Sequence, residues 1–109
     1  GFNDESRPDA VAVDANGVAW CGEAERTIKT TKRYQSVLFS RLRAIKEGRY
    51  SRVVWVCKDA DAAARLRAII FAIREFTREH AGQKHRVVID PARHHPPLHF
   101  TSIDEFPNP

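Results

Sequence analysis

Three carboxylates stand close together near the start of the chain. Asp9 follows Pro8, and Glu23 and Glu25 are two residues apart at the end of the run Trp20-Cys21-Gly22-Glu23-Ala24-Glu25. Residues 10–14 and 18–25 alternate small, β-branched and polar types, so both read as strands of one hairpin. The turn between them decides whether the acids converge. A two-residue Asn16-Gly17 turn pairs Ala15 with Val18 and sets Asp9 opposite Ala24, away from both glutamates. A three-residue loop, with Asp14 opening a type I turn and Gly17 at the position needing φ > 0, pairs Asp14 with Val18. Asp9 then falls opposite Glu23, with Glu25 on the same face because side chains repeat every second residue. Directly opposed Cβ atoms lie about 4.5–5.5 Å apart and like charges there repel. A hard divalent ion with oxygen ligands would relieve that repulsion, Mg²⁺ by default. The plain alternative is three solvated acids on an edge hairpin.

Around the hairpin, the chain has the size of one small domain with a single core: 109 residues, 42% hydrophobic, net charge +4. No apolar run approaches the length of a membrane span and no signal-like segment follows the N-terminus, so a cytoplasmic location is expected. Cys21 and Cys57, each within an apolar strand pattern, read as buried thiols of a reducing compartment rather than as a disulfide framework. Methionine is absent even at position 1, the pattern expected of one domain taken from a larger protein.

Residues 1–7 form a polar lead-in, and an α/β domain is expected over 8–90. A helix opening at Thr27 carries Tyr34, Val37, Leu38, Leu42 and Ile45 at helical spacing and ends at Gly48. Residues 52–57 are a near-continuous apolar run suited to a central strand. A second helix, capped by Asp59 or Asp61, carries Leu66, Ile69, Ile70, Ile73 and Phe76 and stops at Gly82. Residues 86–89 read as a further strand. Residues 91–109 are Pro-rich and irregular, with an edge strand at 98–103. The expected order, β-β-α-β-α-β, implies a mixed sheet with parallel crossovers after an antiparallel opening hairpin, its helices on both faces or together on one.

Basic residues are concentrated after the hairpin. Between Arg26 and Arg52 stand nine of the chain's 18 cations, among them Lys29, Lys32, Arg33, Arg41 and Arg43, against the single acid Glu47. Such a run is often only a solvated helix face. Lys29, Lys32 and Arg33, however, fall in the first two turns of the expected helix, where positive charge opposes the helix dipole at about 0.3–1 kcal/mol each. They can offset the acids or hold phosphate, the electrostatic footprint of a nucleic-acid backbone binder. His94, His95 and His99 lack a partner set at zinc-site spacing and read as surface loop residues. Trp20 and Trp55 read as core. No Gly-rich phosphate loop, nucleophile elbow or Cys/His nucleophile pair is present.

Pro8-Asp9-Ala10, an aromatic strand with Trp20 ending Glu23-x-Glu25, then Thr27, Lys29, Thr30 and Arg33-Tyr34, resembles the PD-(D/E)xK restriction-endonuclease-like superfamily. Within it the pattern is most similar to plasmid replication-relaxation and mobilisation-type proteins, and Arg49-Tyr50 ahead of the 53–56 strand is similar too. The resemblance covers about residues 7–75. It implies a restriction-endonuclease-like fold and metal-dependent hydrolysis of DNA phosphodiesters, in plasmid replication or conjugative mobilisation. Asp9, Glu23 and Glu25 are the implied ligands of Mg²⁺ or Mn²⁺. Glu25 stands where the usual pattern has Lys, so Lys29 is the implied displaced lysine, and Gln35 an additional polar contact. Implied partners are DNA, bound through Lys29, Lys32, Arg33, Gln35, Arg41 and Arg43, and other replication or transfer proteins. The alternatives are a silent DNA-binding module and a protein-interaction domain, including a homodimer.

Overall fold

The structure is a computed structural model and describes residues 7–105. It is a mixed α/β fold. A hairpin of β1 (Ala10–Val13) and β2 (Ala19–Glu25) leads into α1 (Thr31–Lys46), β3 (Arg52–Cys57) and α2 (Ala60–Ala72). A second hairpin follows, β4 (Glu75–His80) with β5 (Gln83–Val88), then a single helical turn, α3 (Pro91–His94), and β6 (Leu98–Ser102). The main sheet has the order β1-β2-β3-β6, with β1 antiparallel to β2 and the other pairs parallel. β4 and β5 form a separate two-stranded antiparallel sheet.

The first hairpin closes through the three-residue loop. The Asp14 N–H donates to Val18 O (2.9 Å), the Gly17 N–H donates to Asp14 O (3.0 Å), and Gly17 has φ +80°. The Asp14 carboxylate holds the loop from within by accepting the Asn16 and Val18 N–H groups. The register that results runs Val13 to Ala19, Val11 to Cys21 and Ala10 to Gly22. The paired stretch ends there: Asp9 lies at a bend just before β1, one residue beyond the ladder, at the end of the hairpin that carries Glu23.

Cross-strand partners project to the same side of a sheet, so the register sorts its two sides. On one side Cys21 pairs with Val53 and Val53 with Leu98, Glu23 with Trp55 and Trp55 with Phe100, and Glu25 with Cys57 and Cys57 with Ser102. Both long helices cover this side, through Tyr34, Leu38 and Arg41 of α1 and Leu66 and Ile70 of α2, all 1% exposed or less. Trp55 stacks on Phe100 at 5.1 Å, and Phe71 of α2 meets Phe100 edge-on. The opposite side carries Trp20, Gly22, Arg52, Val54, Val56, His99 and Thr101. Every described residue there is half-buried or exposed.

Several sequence expectations are corrected. α1 begins at Thr31 behind the N-cap Thr30, whose Oγ1 accepts the Arg33 N–H, so Lys29 lies in the preceding loop and not in the helix. α2 ends at Ala72 rather than at Gly82, and residues 75–80 are a strand. Ala81 (φ 53°) and Gly82 (φ 76°) are both left-handed, the geometry of a tight hairpin turn, and Glu75 and Arg86 clasp across it at 2.6 and 2.8 Å. Phe76 therefore enters the core from a strand, beside Ile73 and Ile89. The strand expected at 86–89 pairs only with β4, outside the main sheet. The strand beside β3 is β6, which forms the edge strand expected at 98–103. Trp55 is core at 1% exposure, whereas Trp20 is half-buried on the uncovered side. Residues 1–6 of the lead-in and 106–109 of the tail lie outside the described residues.

Candidate functional site

Glu23 and Glu25 lie on the helix-covered side of β2, and Asp9 precedes β1 at the same end of the hairpin. Asp9 is exposed at the strand end, and its Oδ2 accepts the Ala24 N–H at 2.8 Å, which fixes the carboxylate across the hairpin. Glu23 is half-buried. Its Oε1 lies 3.4 Å from Cys21 Sγ, which donates to it, and 3.7 Å from Nε of Arg41. Burial pushes the Glu23 carboxyl above its ordinary range. The Arg41 charge opposes that shift, and the Asp9 charge reinforces it. The two acids therefore sense each other.

Arg41 is 1% exposed. It enters the interior from the third turn of α1, and its Nη1 donates to Tyr50 Oη at 3.3 Å. Burial works against its charge, but the Tyr50 hydrogen bond and Glu23 outweigh that and raise its pKa. The Cys21 thiol is pushed up to about 12, by burial first and then by the Glu23 charge. Glu23, Cys21, Arg41 and Tyr50 thus form one buried polar cluster beneath the hairpin.

Glu25, two residues on, pairs with Lys29. The Lys29 ammonium also donates to Thr27 O at 2.7 Å, while the Lys29 N–H donates to Tyr34 Oη at 2.9 Å. The 26–30 loop is thereby folded back so that Lys29 reaches the acid strand. Burial, with the Glu25 charge adding to it, pushes the Tyr34 hydroxyl up to about 12.

The expected site residues thus separate into groups. The Asp9 charge acts on Glu23, and Glu25 pairs with Lys29 two residues along β2. Lys32 is exposed and Arg33 half-buried in the first turn of α1, where the helix has no acid to complement its dipole. Gln35 is half-buried, and Arg43 is exposed and bonded to Glu47. Arg41, expected on a nucleic-acid-binding surface, faces the interior and Glu23 instead. The linking roles of Arg41, Tyr50 and Tyr34 were not read from the sequence. The usable signal was helical spacing, since Tyr34, Leu38 and Arg41 share one stripe of α1.

Every ligand candidate here is a carboxylate oxygen, the donor type that a hard divalent cation takes. Among the described residues no three His, Cys, Asp or Glu side chains stand close enough to hold a metal ion. No helix among the described residues is long and apolar enough to cross a membrane. Comparison with protein-family models, with curated proteins and with solved structures returned no match in any of the three.

Proposed function

We propose that the chain is a DNA-processing domain of restriction-endonuclease-like architecture that hydrolyses phosphodiesters with the help of a divalent cation, in plasmid replication or conjugative mobilisation. The observation that carries the reading is that Asp9, held across the hairpin by the Ala24 N–H, lies near enough to Glu23 for its charge to act on that carboxyl, next to a lysine-bearing loop. Support also comes from the topology, an antiparallel hairpin followed by a helical crossover to a parallel strand.

Asp9 and Glu23 would hold Mg²⁺ or Mn²⁺, which when bound supplies charge neutralisation and an acidified water. The chain's own residues do the remainder. The Ala24 N–H orients Asp9, and the buried Arg41 opposes the upward push that burial exerts on the Glu23 carboxyl. Glu25 and Thr27 O position the Lys29 ammonium, which is available to stabilise charge developing on a phosphate. Lys32 and Arg33, exposed and half-buried at the start of α1, would hold the DNA backbone. Incubation of supercoiled plasmid with protein and Mg²⁺ or Mn²⁺ tests this. Nicking or linearisation is expected, and Glu23→Ala and Asp9→Asn abolish it. No cleavage, or cleavage unchanged in those variants, overturns the reading.

One observation favours a second reading, a catalytically silent DNA-binding module. Each glutamate already faces a cation of the chain, Glu23 the buried Arg41 and Glu25 Lys29. This reading expects metal-independent duplex binding that falls steeply with salt, and that is lost when Lys29, Lys32 and Arg33 are replaced by Glu.

A further inference from the structure

The side of the main sheet away from α1 and α2 has its own organisation. Trp20 on β2 pairs with Arg52 on β3, and Val54 on β3 pairs with His99 on β6. Trp20 and His99 thus belong to strands separated by β3, with backbones about 10 Å apart at ordinary strand spacing. Their ring centroids are nevertheless 5.0 Å apart, inclined at 54°. The two side chains therefore reach toward each other over β3. The indole is held from two directions: Nε1 donates to Asp14 Oδ2 at 2.9 Å, and the Arg52 guanidinium carbon lies 5.4 Å from the ring centroid. All three side chains are half-buried or exposed.

We propose that this uncovered face of the four-stranded sheet binds single-stranded nucleic acid, its bases stacking on Trp20 and His99 and its backbone passing over Arg52. Aromatic faces on an open sheet recognise unpaired bases because every base has a π-face, and an adjacent guanidinium adds stacking and phosphate contacts. The charge pattern favours this occupant over a protein. The described strand residues of this face include the cation Arg52 and no carboxylate, Asp14 at its rim is already engaged by Trp20, Asn16 and Val18, and Glu105, beyond the end of β6, accepts from the Thr101 hydroxyl at 3.5 Å. Two features suit the aromatic pair to stacking. The hydrogen bond to Asp14 fixes the indole before binding, which lowers the ordering cost. Burial and the Arg52 charge lower the His99 pKa, so at neutral pH it offers an uncharged ring. Beside the pair lies Gly22, where an added Cβ meets nothing nearer than 4.0 Å, leaving open floor. The proposal stands apart from the carboxylate site, which occupies the other side of the sheet.

Anisotropy titrations with labelled oligothymidylate, oligouridylate and a duplex of the same length at low salt test it. Saturable binding of single strands, tighter than that of duplex, is expected. Trp20→Ala should weaken it by about 10-fold, the usual scale for losing one stacked base. Gly22→Glu places a carboxylate on the face with room for it, and should weaken binding comparably while leaving the unfolding midpoint close to that of the wild type. Asp9→Asn and Glu23→Gln should bind single strands as the wild type does, which separates this surface from the nuclease reading. The oligothymidylate and oligouridylate arms tell DNA from RNA. The proposal is overturned by absence of single-strand binding, by affinity unchanged in Trp20→Ala and Gly22→Glu, or by a solution dimer that those variants dissociate while oligonucleotide affinity stays constant.

Discussion

Replacing Arg41 with Met should expose how the site is held together. The side chain of Arg41 is 2% exposed and that of Glu23 is 14% exposed, with 3.7 Å between Nε and Oε1. Removing one member of a buried pair typically costs 3–5 kcal/mol, mostly because the other charge is left uncompensated. The distance here is longer than a hydrogen bond, but the bond to Tyr50 is lost as well, so we expect about 3 kcal/mol at pH 7. The cost should also depend on pH. Burial already raises the Glu23 carboxyl above its ordinary 4.5, and losing Arg41 raises it further. A carboxyl whose folded-state pKa is raised favours the fold below the unfolded-state value, and that contribution is lost as pH rises through the folded-state value. Arg41→Met should therefore be less costly near pH 4 than at pH 7. Urea unfolding followed by circular dichroism at both pH values measures this. The double variant Glu23→Gln/Arg41→Met should recover at least about 1 kcal/mol relative to Arg41→Met. A cost independent of pH, or a double variant no more stable than Arg41→Met, would refute the coupling.

Other outcomes follow from single positions. Gly17→Ala should destabilise by about 1 kcal/mol through its left-handed backbone alone, because an added Cβ there meets nothing within 4 Å; thermal unfolding reads it. The Trp20 hydrogen bond, followed by the Val18 N–H, lowers the Asp14 carboxyl below 3.8. Its contribution is present above that value and lost as pH falls through the folded-state pKa, so Asp14→Asn should flatten the acid limb of the stability curve. Cys21, raised to about 12, and the likewise raised Cys57 should resist alkylation at pH 8 until denaturant unfolds the chain. Leu66→Ala, at a position 0% exposed between α2 and the sheet, should cost about 3 kcal/mol in urea unfolding.

The first hairpin was the most legible part of the chain, because Asp14 and Gly17 each suit one position of the three-residue loop and together set the register. Strand β3 was equally plain from its apolar run. The second hairpin was hidden. Ile69, Ile70, Ile73 and Phe76 keep helical spacing into β4, and Ala81-Gly82 lacks the Asn-Gly signature of the turn it makes. What separates them is tertiary, namely the packing of Phe76 and Ile89 into one core and the Glu75–Arg86 clasp. The N-cap of α1 stands three residues beyond Thr27, because Thr27 and Thr30 both suit that position and Thr30 is the one that accepts the Arg33 N–H. Near the site, the turn chemistry gave the register of β1 on β2, and the position of Lys29 after the strand let it reach Glu25. Arg41 was not legible, because in sequence it is one more cation in a basic run. Only the packing of α1 on the sheet turns it inward. Trp20 was read as core because a strand tryptophan usually is, and the helices that would have buried it lie on the other side.

The account turns on whether Asp9 and Glu23 together hold a divalent cation. Titrating the protein with Mn²⁺ and counting the free ion by electron paramagnetic resonance measures this without relying on cleavage. One bound Mn²⁺ per chain is predicted, weakened at least about 10-fold in Asp9→Asn and in Glu23→Gln, as expected when a charged ligand is lost, and unaffected in Glu105→Gln. Absence of bound Mn²⁺, or binding that survives both substitutions, would contradict the assignment of these two carboxylates.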